Sequence, residues 1–96
     1  MVWKNLYIEG AVGSENGFIL EDEEYAGACW ITLEKCSEYY AITCGVYGAM
    51  MHTVFCGHDS YKNTYNAMKK ELQEFIDRDT TEDEEFQFYE DFTVKF

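Results

Sequence analysis

The apolar positions of this chain follow two different periods, and the change of period separates a strand-rich part from a helical part. Residues 2–12 (VWKNLYIEGAV) alternate between apolar and polar, which favours a β-strand. Short runs of β-branched, aromatic and small apolar residues follow at 17–20, 26–34, 39–44 and 49–56. The segments between them carry the glycine, asparagine and charged residues typical of turns and loops. The last three runs, joined by short turns, predict an antiparallel meander.

After residue 59 the apolar positions recur every three or four residues. This spacing predicts one amphipathic helix over about 60–78, with its apolar stripe facing the core. Asp59 or Ser60 is suited to cap the first turn of that helix. The stripe consists of Tyr61, Tyr65, Met68, Leu72, Phe75 and Ile76.

Two acidic segments and an apolar tail complete the pattern. Residues 21–24 (EDEE) and 79–85 (DTTEDEE) are predicted to be exposed connections, because dense like charge is solvated. The tail then alternates again, which predicts a final strand over 86–96. We expect this strand to pair with a sheet edge, either in this chain or in a second copy. Its apolar residues are Phe86, Phe88, Phe92, Val94 and Phe96.

These elements predict an α+β domain spanning residues 1–96. Its antiparallel sheet has five to six strands, and the single helix packs on one face. Periodicity does not fix the order of the strands. One helix cannot cover both faces of such a sheet, so aromatic residues are left over. Strong curvature of the sheet could bury some of them, and we expect a homodimer to bury the rest, because large exposed apolar patches usually mark an interaction site.

Composition narrows the choice of partner. The chain has 19 acidic and 7 basic residues, a net charge of −12, yet 47% of it is hydrophobic and 18% aromatic. This combination indicates a folded domain with a negative surface, since a disordered chain would lack the aromatic content. Phosphate repulsion argues against nucleic acid and anionic membrane surfaces as partners. A basic protein partner is compatible with the charge.

The sequence also sets expectations about location and thiols. No apolar run approaches the roughly 20 residues that span a bilayer, and the first residues lack the pattern of a secretory signal. A cytoplasmic location is therefore expected. In that compartment the four cysteines are expected to be reduced thiols, three of them inside apolar strand-like runs.

The nearest approach to a chemical site is His52, Cys56 and His58, with Cys44 on the neighbouring strand. Zinc needs about four nitrogen or sulfur ligands in tetrahedral arrangement, and the usual paired spacing of structural zinc sites is missing. A cysteine nucleophile would need a nearby base, which His58 or His52 could supply to Cys56. Buried thiols and a strand histidine explain the same residues, so no catalytic residue, metal or cofactor is predicted. A small Cys/His-dependent enzyme or metal-binding protein is the alternative.

A third class is a small-ligand binder lined by Trp30, Tyr39 and Tyr40. Its mark would be a deep pocket between helix and sheet, in place of a filled core.

The function we predict is that of a small non-enzymatic interaction domain. Dense carboxylates can imitate the phosphates of nucleic acid and occupy a basic groove. In size and acidity the chain resembles small inhibitors of nucleases and immunity proteins that block toxins, although no motif assigns it to a family. An inhibitor or immunity-type role against a basic partner is therefore the specific form of this prediction. The predicted contact residues are Glu21, Asp22, Glu23, Glu24, Glu82, Asp83, Glu84 and Glu85.

Overall fold

The strand-rich part of the chain forms one antiparallel sheet. The computed structural model describes residues 2–96, and its strands are β1 (Trp3–Asn5), β2 (Phe18–Tyr25), β3 (Cys29–Lys35), β4 (Tyr40–Val46) and β5 (Met50–Cys56). Each strand pairs with the next one along the chain, in the order β1-β2-β3-β4-β5. The predicted meander is confirmed, and it includes all five strands.

The first strand is shorter than predicted. Of residues 2–12 only Trp3–Asn5 form a strand, and Val12 makes a single bridge to Phe18. The chain leaves the sheet after Asn5, whose side chain accepts a hydrogen bond from the amide of Tyr7 at 2.8 Å. This local bond is the kind that draws asparagine into turns. Gly10, with φ at 81°, supplies the left-handed residue of the following turn.

The second strand is longer than predicted. We expected a strand over 17–20 and a solvated loop over 21–24, but β2 continues to Tyr25. A register irregularity between Ile19 and Glu21 marks where the two predicted segments join. The acidic residues lie in the strand because both neighbouring strands pair with it there. A high density of acidic residues was therefore not sufficient evidence for a loop at residues 21–24.

The sheet has one covered face and one open face. Cys29, Ile31 and Leu33 point to the covered face and are buried against the helices, as are their cross-strand partners on β4. The side chains of Trp30 and Thr32 point the other way, where neither helix lies. We call these the helix face and the open face.

The first helix packs on the helix face as predicted. Helix α1 spans Tyr61–Asp77 and buries Tyr65, Met68, Leu72 and Phe75. Ser60 occupies the N-cap position, although its side chain makes no capping hydrogen bond. The predicted packing of an amphipathic helix on one side of the sheet is confirmed.

The predicted strand over 86–96 is wrong, because this segment is helical. Helix α2 spans Glu82–Lys95, so residues 82–85 of the predicted connection 79–85 are also helical. Thr81 and Glu84 form a capping box, in which each side chain bonds to the other residue's amide. The acidic first turn further suits the positive end of the helix dipole. No sheet edge is paired by this tail.

Within residues 2–96, neither helix combines the length and the apolar character needed to cross a bilayer.

Candidate functional site

The predicted histidine and cysteine residues do not assemble into one centre. His52 lies on the helix face opposite Cys44, and its ring meets the edge of Phe92 at 6.3 Å between centroids. His58 lies beyond the end of β5, where its Nδ1 is 3.4 Å from the hydroxyl of Tyr40. Among the described residues, no three histidine, cysteine or acidic side chains are placed to hold a metal ion.

Two of the buried thiols, Cys29 and Cys44, are poorly suited to act as nucleophiles. All four cysteines are free. Burial raises the pKa of Cys29 to about 11, and burial together with the neighbouring Cys29 raises the pKa of Cys44 to about 12. A nucleophilic cysteine needs the opposite shift, since the thiolate is the reactive form.

The predicted pocket of Trp30, Tyr39 and Tyr40 does not form between helix and sheet. Tyr40 lies on the helix face and stacks on Tyr61, with ring centroids 3.8 Å apart. Trp30 lies on the open face, and Tyr39 packs edge-on against Phe55. Adjacent strand residues point to opposite faces, which separates Tyr39 from Tyr40.

Within the acidic segment of β2, Glu23 is tied to the helix face. Its carboxylate accepts hydrogen bonds from the Tyr65 hydroxyl at 2.6 Å and from Lys69 Nζ at 2.8 Å. Burial, with the carboxylate of Glu23 next to the hydroxyl, raises the pKa of Tyr65. This cluster joins β2 to α1, so Glu23 has a structural partner inside the chain.

Two neighbours of Glu23 point to the open face and are also bonded. Asp22 accepts a hydrogen bond from Thr32 at 3.0 Å, and Glu24 accepts one from Tyr47 at 2.7 Å. Both carboxylates remain at the side of the open face and keep oxygen lone pairs for further donors. Glu21 points to the helix-face side, because it pairs in register with Leu33.

The second predicted acidic cluster lies elsewhere, in the first turn of α2. Glu82, Asp83, Glu84 and Glu85 form this turn, and the side chain of Glu84 closes the capping box. These residues therefore begin a helix, and their charge is favourable at its N-terminus. The structure gives them a local role whether or not a partner contacts them.

A cavity on the open face is the strongest candidate for a binding site. Among residues 2–96, neither helix lies on this face, and the segment 11–17 folds over one end of it. Between this segment and the strands lies a cavity of about 330 Å³. It is lined by Ile19, Trp30, Thr32, Glu34, Thr43, Met51, Thr53 and residues 13–15.

Glu34 is the unusual member of this lining. It is 0% exposed, although carboxylates are seldom fully buried without a charged partner. Its Oε1 accepts hydrogen bonds from the amides of Glu15 at 3.1 Å and Gly17 at 3.2 Å. Its Oε2 has no hydrogen-bonding partner in the described part of the chain. One oxygen thus holds the loop, while the other is left unsatisfied.

Two glycines allow this arrangement. A Cβ at Gly13 would lie only 2.2 Å from Glu34 Cδ, so glycine is needed for the loop to close over the carboxyl group. A Cβ at Gly45 would lie 2.6 Å from the Met50 carbonyl oxygen and 3.0 Å from the Trp30 ring. The bare backbone at Gly45 therefore lets the indole lie close against the sheet, where it forms one wall of the cavity.

Sequence reasoning did not single out Glu34. The residue continues the alternation of β3 and has the same parity as Trp30 and Thr32. A single acid on the Trp30 and Thr32 side of β3, together with a loop that has glycine at both ends, is the signal that could have found it. The buried environment itself arises from residues far apart along the chain.

Comparison of the chain with protein-family models, curated proteins and solved structures finds no match.

Proposed function

We propose that this protein is a non-enzymatic interaction domain whose open sheet face receives a basic protein partner. The observation that carries the proposal is a sheet face on which neither helix packs, where the exposed Met51 lines a cavity that also contains the Glu34 carboxylate. The net charge of −12 supports a partner of opposite sign. An inhibitor or immunity-type role, in which the domain occupies a basic groove of an enzyme, is the specific form that we favour.

The apolar part of this surface lies on β5 and the turn before β4. Met51 is 72% exposed and Phe55 is 58% exposed, and Tyr39 packs edge-on against Phe55 at 5.5 Å between centroids. Methionine and aromatic side chains are enriched where proteins contact one another. Their exposure on an otherwise acidic protein supports a docking surface.

The charged part of the surface flanks this apolar patch. Asp22 and Glu24 reach the open face from β2, and Glu15 lies in the loop over the cavity. Lys4 on the edge strand β1 pairs in register with Glu24 and lies on the same side of the sheet. Acids therefore outnumber bases around the patch, which suits a partner that presents lysine and arginine.

Charge placed on the apolar patch should abolish partner binding. We expect the double variant Met51→Glu/Phe55→Glu to bind a captured basic partner about a thousandfold more weakly, since two hot-spot residues at about 2 kcal/mol each contribute about 4 kcal/mol. The partner would be captured from host lysate by the wild-type protein, purified, and its affinity for each variant measured by calorimetry.

The matched control for this test is Phe86→Glu/Val94→Glu. Both residues are exposed on α2, and this variant has the same added charge. Its affinity should equal that of the wild type.

Raising the salt concentration should also slow association, because exposed charges are screened beyond about 8 Å at physiological ionic strength. Equal affinities for the two variants, or a salt-independent association rate, would contradict the proposal.

We further propose that the chain pairs with a second copy through β5. This edge strand has no acidic residue and no proline, and His52 is its one titratable side chain besides Cys56. Charge and proline are the common protections of an edge strand, so β5 is open to pairing. Antiparallel pairing centred on Thr53 would place Met51 of one copy opposite Phe55 of the other. These side chains would then lie side by side, and the open faces of the two copies would form one continuous surface for the partner.

A cysteine at Thr53 should report this pairing. In a two-fold pair the two Thr53 positions face each other, so Thr53→Cys should form an intermolecular disulfide under mild oxidation. Val94→Cys, which is exposed on α2, is the control and should not form this disulfide.

Sedimentation should show more dimer as NaCl rises from about 0.05 to about 0.5 M, because screening relieves repulsion between two negative copies. A monomer at all salt concentrations would refute the pairing.

A further inference from the structure

We propose that the cavity beside Glu34 binds one guanidinium group, the side chain of an arginine on the basic partner. The inference rests on the proposed function and assigns a specific role to the cavity within it. Glu34 lines the cavity and is fully buried, and its Oε2 has no partner among residues 2–96. An arginine side chain entering from the open face would supply the missing donor and the missing positive charge.

The structural role of Glu34 does not require its charge. The amides of Glu15 and Gly17 both donate to Oε1 alone. A glutamine could accept the same two hydrogen bonds without placing a charge in the interior. Burying an unpaired carboxylate costs several kcal/mol more than burying a neutral amide. No lysine or arginine in the described residues forms a salt bridge with Glu34. The neighbouring cavity offers space for a cation supplied by another molecule.

The walls of the cavity fit a flat cation. The Trp30 indole can lie close against the sheet because Gly45 has no side chain, and its ring lines the cavity. Indole is the strongest aromatic partner for a cation within about 6 Å of its centre. Guanidinium is planar and stacks on such a ring, whereas ammonium is more strongly hydrated and loses more on entering an apolar cavity.

Threonine hydroxyls supply the remaining acceptors. Thr43 and Thr53 share one hydrogen bond at 3.2 Å, and the Thr32 hydroxyl donates a hydrogen bond to Asp22. Each hydroxyl oxygen has two lone pairs, so acceptor capacity remains after these bonds. A guanidinium carries five N–H donors, which Glu34 and the threonines could share. The combination of one carboxylate, one indole and several hydroxyls thus favours arginine over lysine.

The test follows the indole N–H signals of the two tryptophans by ¹⁵N NMR. The probe is N-acetyl-arginine methylamide. We expect a saturable shift of the Trp30 signal with half-saturation in the millimolar range. Trp3 is the internal reference, because its Nε1 donates to Gln73 at 2.9 Å on the helix side of the sheet. Its signal should not move. The neutral citrulline analogue, which has nearly the same shape, should leave both signals unchanged.

The variant Glu34→Gln tests the carboxylate while retaining the acceptor for the loop amides. We expect its affinity for the arginine probe to fall about tenfold or more, since a hydrogen bond to a charged group contributes about 1.5–3 kcal/mol. Glu38→Gln changes the net charge equally at an exposed position and should bind as the wild type does. Slow solvent exchange of the Gly17 amide in both Glu34→Gln and the wild type would show that the loop is still anchored.

Three results with small probes on the wild-type protein would overturn the assignment. They are an unmoved Trp30 signal, equal binding of the arginine and citrulline analogues, and tighter binding of a lysine analogue than of the arginine probe. The analogue comparison is made on the wild-type protein, so it decides the matter even if Glu34→Gln fails to fold. A partner that binds Glu34→Gln normally but not Met51→Glu/Phe55→Glu overturns the arginine site and leaves the docking proposal standing. Arginine binding without any basic partner supports the site and counts against the docking proposal.

Discussion

Replacing Phe92 with alanine should lower the free energy of unfolding by about 3–5 kcal/mol, which is the usual cost of truncating a buried phenylalanine. Phe92 is 1% exposed and is the one residue of α2 that is fully buried. Its ring lies 4.9 Å from that of Phe96, 5.5 Å from that of Phe88, and edge-on to His52. Truncation would leave a cavity between α2 and β5 and would remove the most deeply buried contact of this helix, while Phe88 and Tyr89 would still pack on Phe75 of α1.

Chemical denaturation with circular dichroism would measure this effect, and Val94→Ala is its control. Val94 is 82% exposed on the same helix, so its truncation should change stability by no more than about 0.5 kcal/mol. We also expect the amides of α2 to exchange with solvent faster than those of α1 in Phe92→Ala. Similar stabilities for the two variants would mean that α2 is not anchored through Phe92.

In the segment 86–96, a four-residue spacing of apolar side chains is compatible with both a strand and a helix. Phe88, Phe92 and Phe96 are four residues apart, so they share a face both in a strand and in a helix. The strand prediction gained its support from Phe86 and Val94, which prove to be exposed. The capping box of Thr81 and Glu84 is a helix signal that precedes the ambiguous segment, and giving it priority would have corrected the prediction.

The meander and α1 could be predicted because their signals were local and unopposed. Turn residues separate β3, β4 and β5, and no alternative period competes with the apolar stripe of α1. The acidic residues of β2 could not be placed in this way. Glu23 is accommodated by Tyr65 and Lys69, more than 40 positions away, and no local pattern reports such partners.

The candidate site was beyond sequence reasoning for a related reason. Its parts come from the loop at 13–15 and from strands β2 to β5, so they are joined by topology alone. The buried state of Glu34 depends on a loop that closes over it, and the Trp30 wall depends on the glycine opposite it on β4. By contrast, His52, Cys56 and His58 attracted attention because they are close in sequence, yet strand geometry separates them.

The fold should lose stability steeply above about pH 9, because several buried groups keep protons that the unfolded chain would release. Burial raises the pKa of Cys29 from 9.0 to about 11 and, with the neighbouring Cys29, that of Cys44 to about 12. Burial and the Glu23 carboxylate also raise the pKa of Tyr65. Above pH 9 the unfolded state therefore binds fewer protons than the folded state, and stability falls as pH rises.

The slope of the free energy of unfolding against pH is set by the number of protons that the folded state retains and the unfolded chain releases. Each one changes the free energy of unfolding by about 1.4 kcal/mol per pH unit, so the two thiols together remove about 3 kcal/mol per unit between pH 9 and 11. Tyr65 adds about 1.4 kcal/mol per unit above pH 10. These groups together remove about 10 kcal/mol by pH 12, so a domain with about 5–10 kcal/mol of stability should unfold between about pH 10.5 and 12.

Urea unfolding in the presence of a reductant, measured at intervals from pH 8 to 11.5, would give this slope. Tyr65→Phe should reduce the slope above pH 10 by one proton, about 1.4 kcal/mol per unit, although it also loses the hydrogen bond to Glu23 and is less stable at neutral pH. Tyr7→Phe removes an exposed hydroxyl and should leave the profile unchanged. A profile that stays flat to pH 11 would show that Cys29, Cys44 and Tyr65 release their protons as readily in the folded protein as in the unfolded chain, and that the packing of α1 and the sheet does not keep water from them.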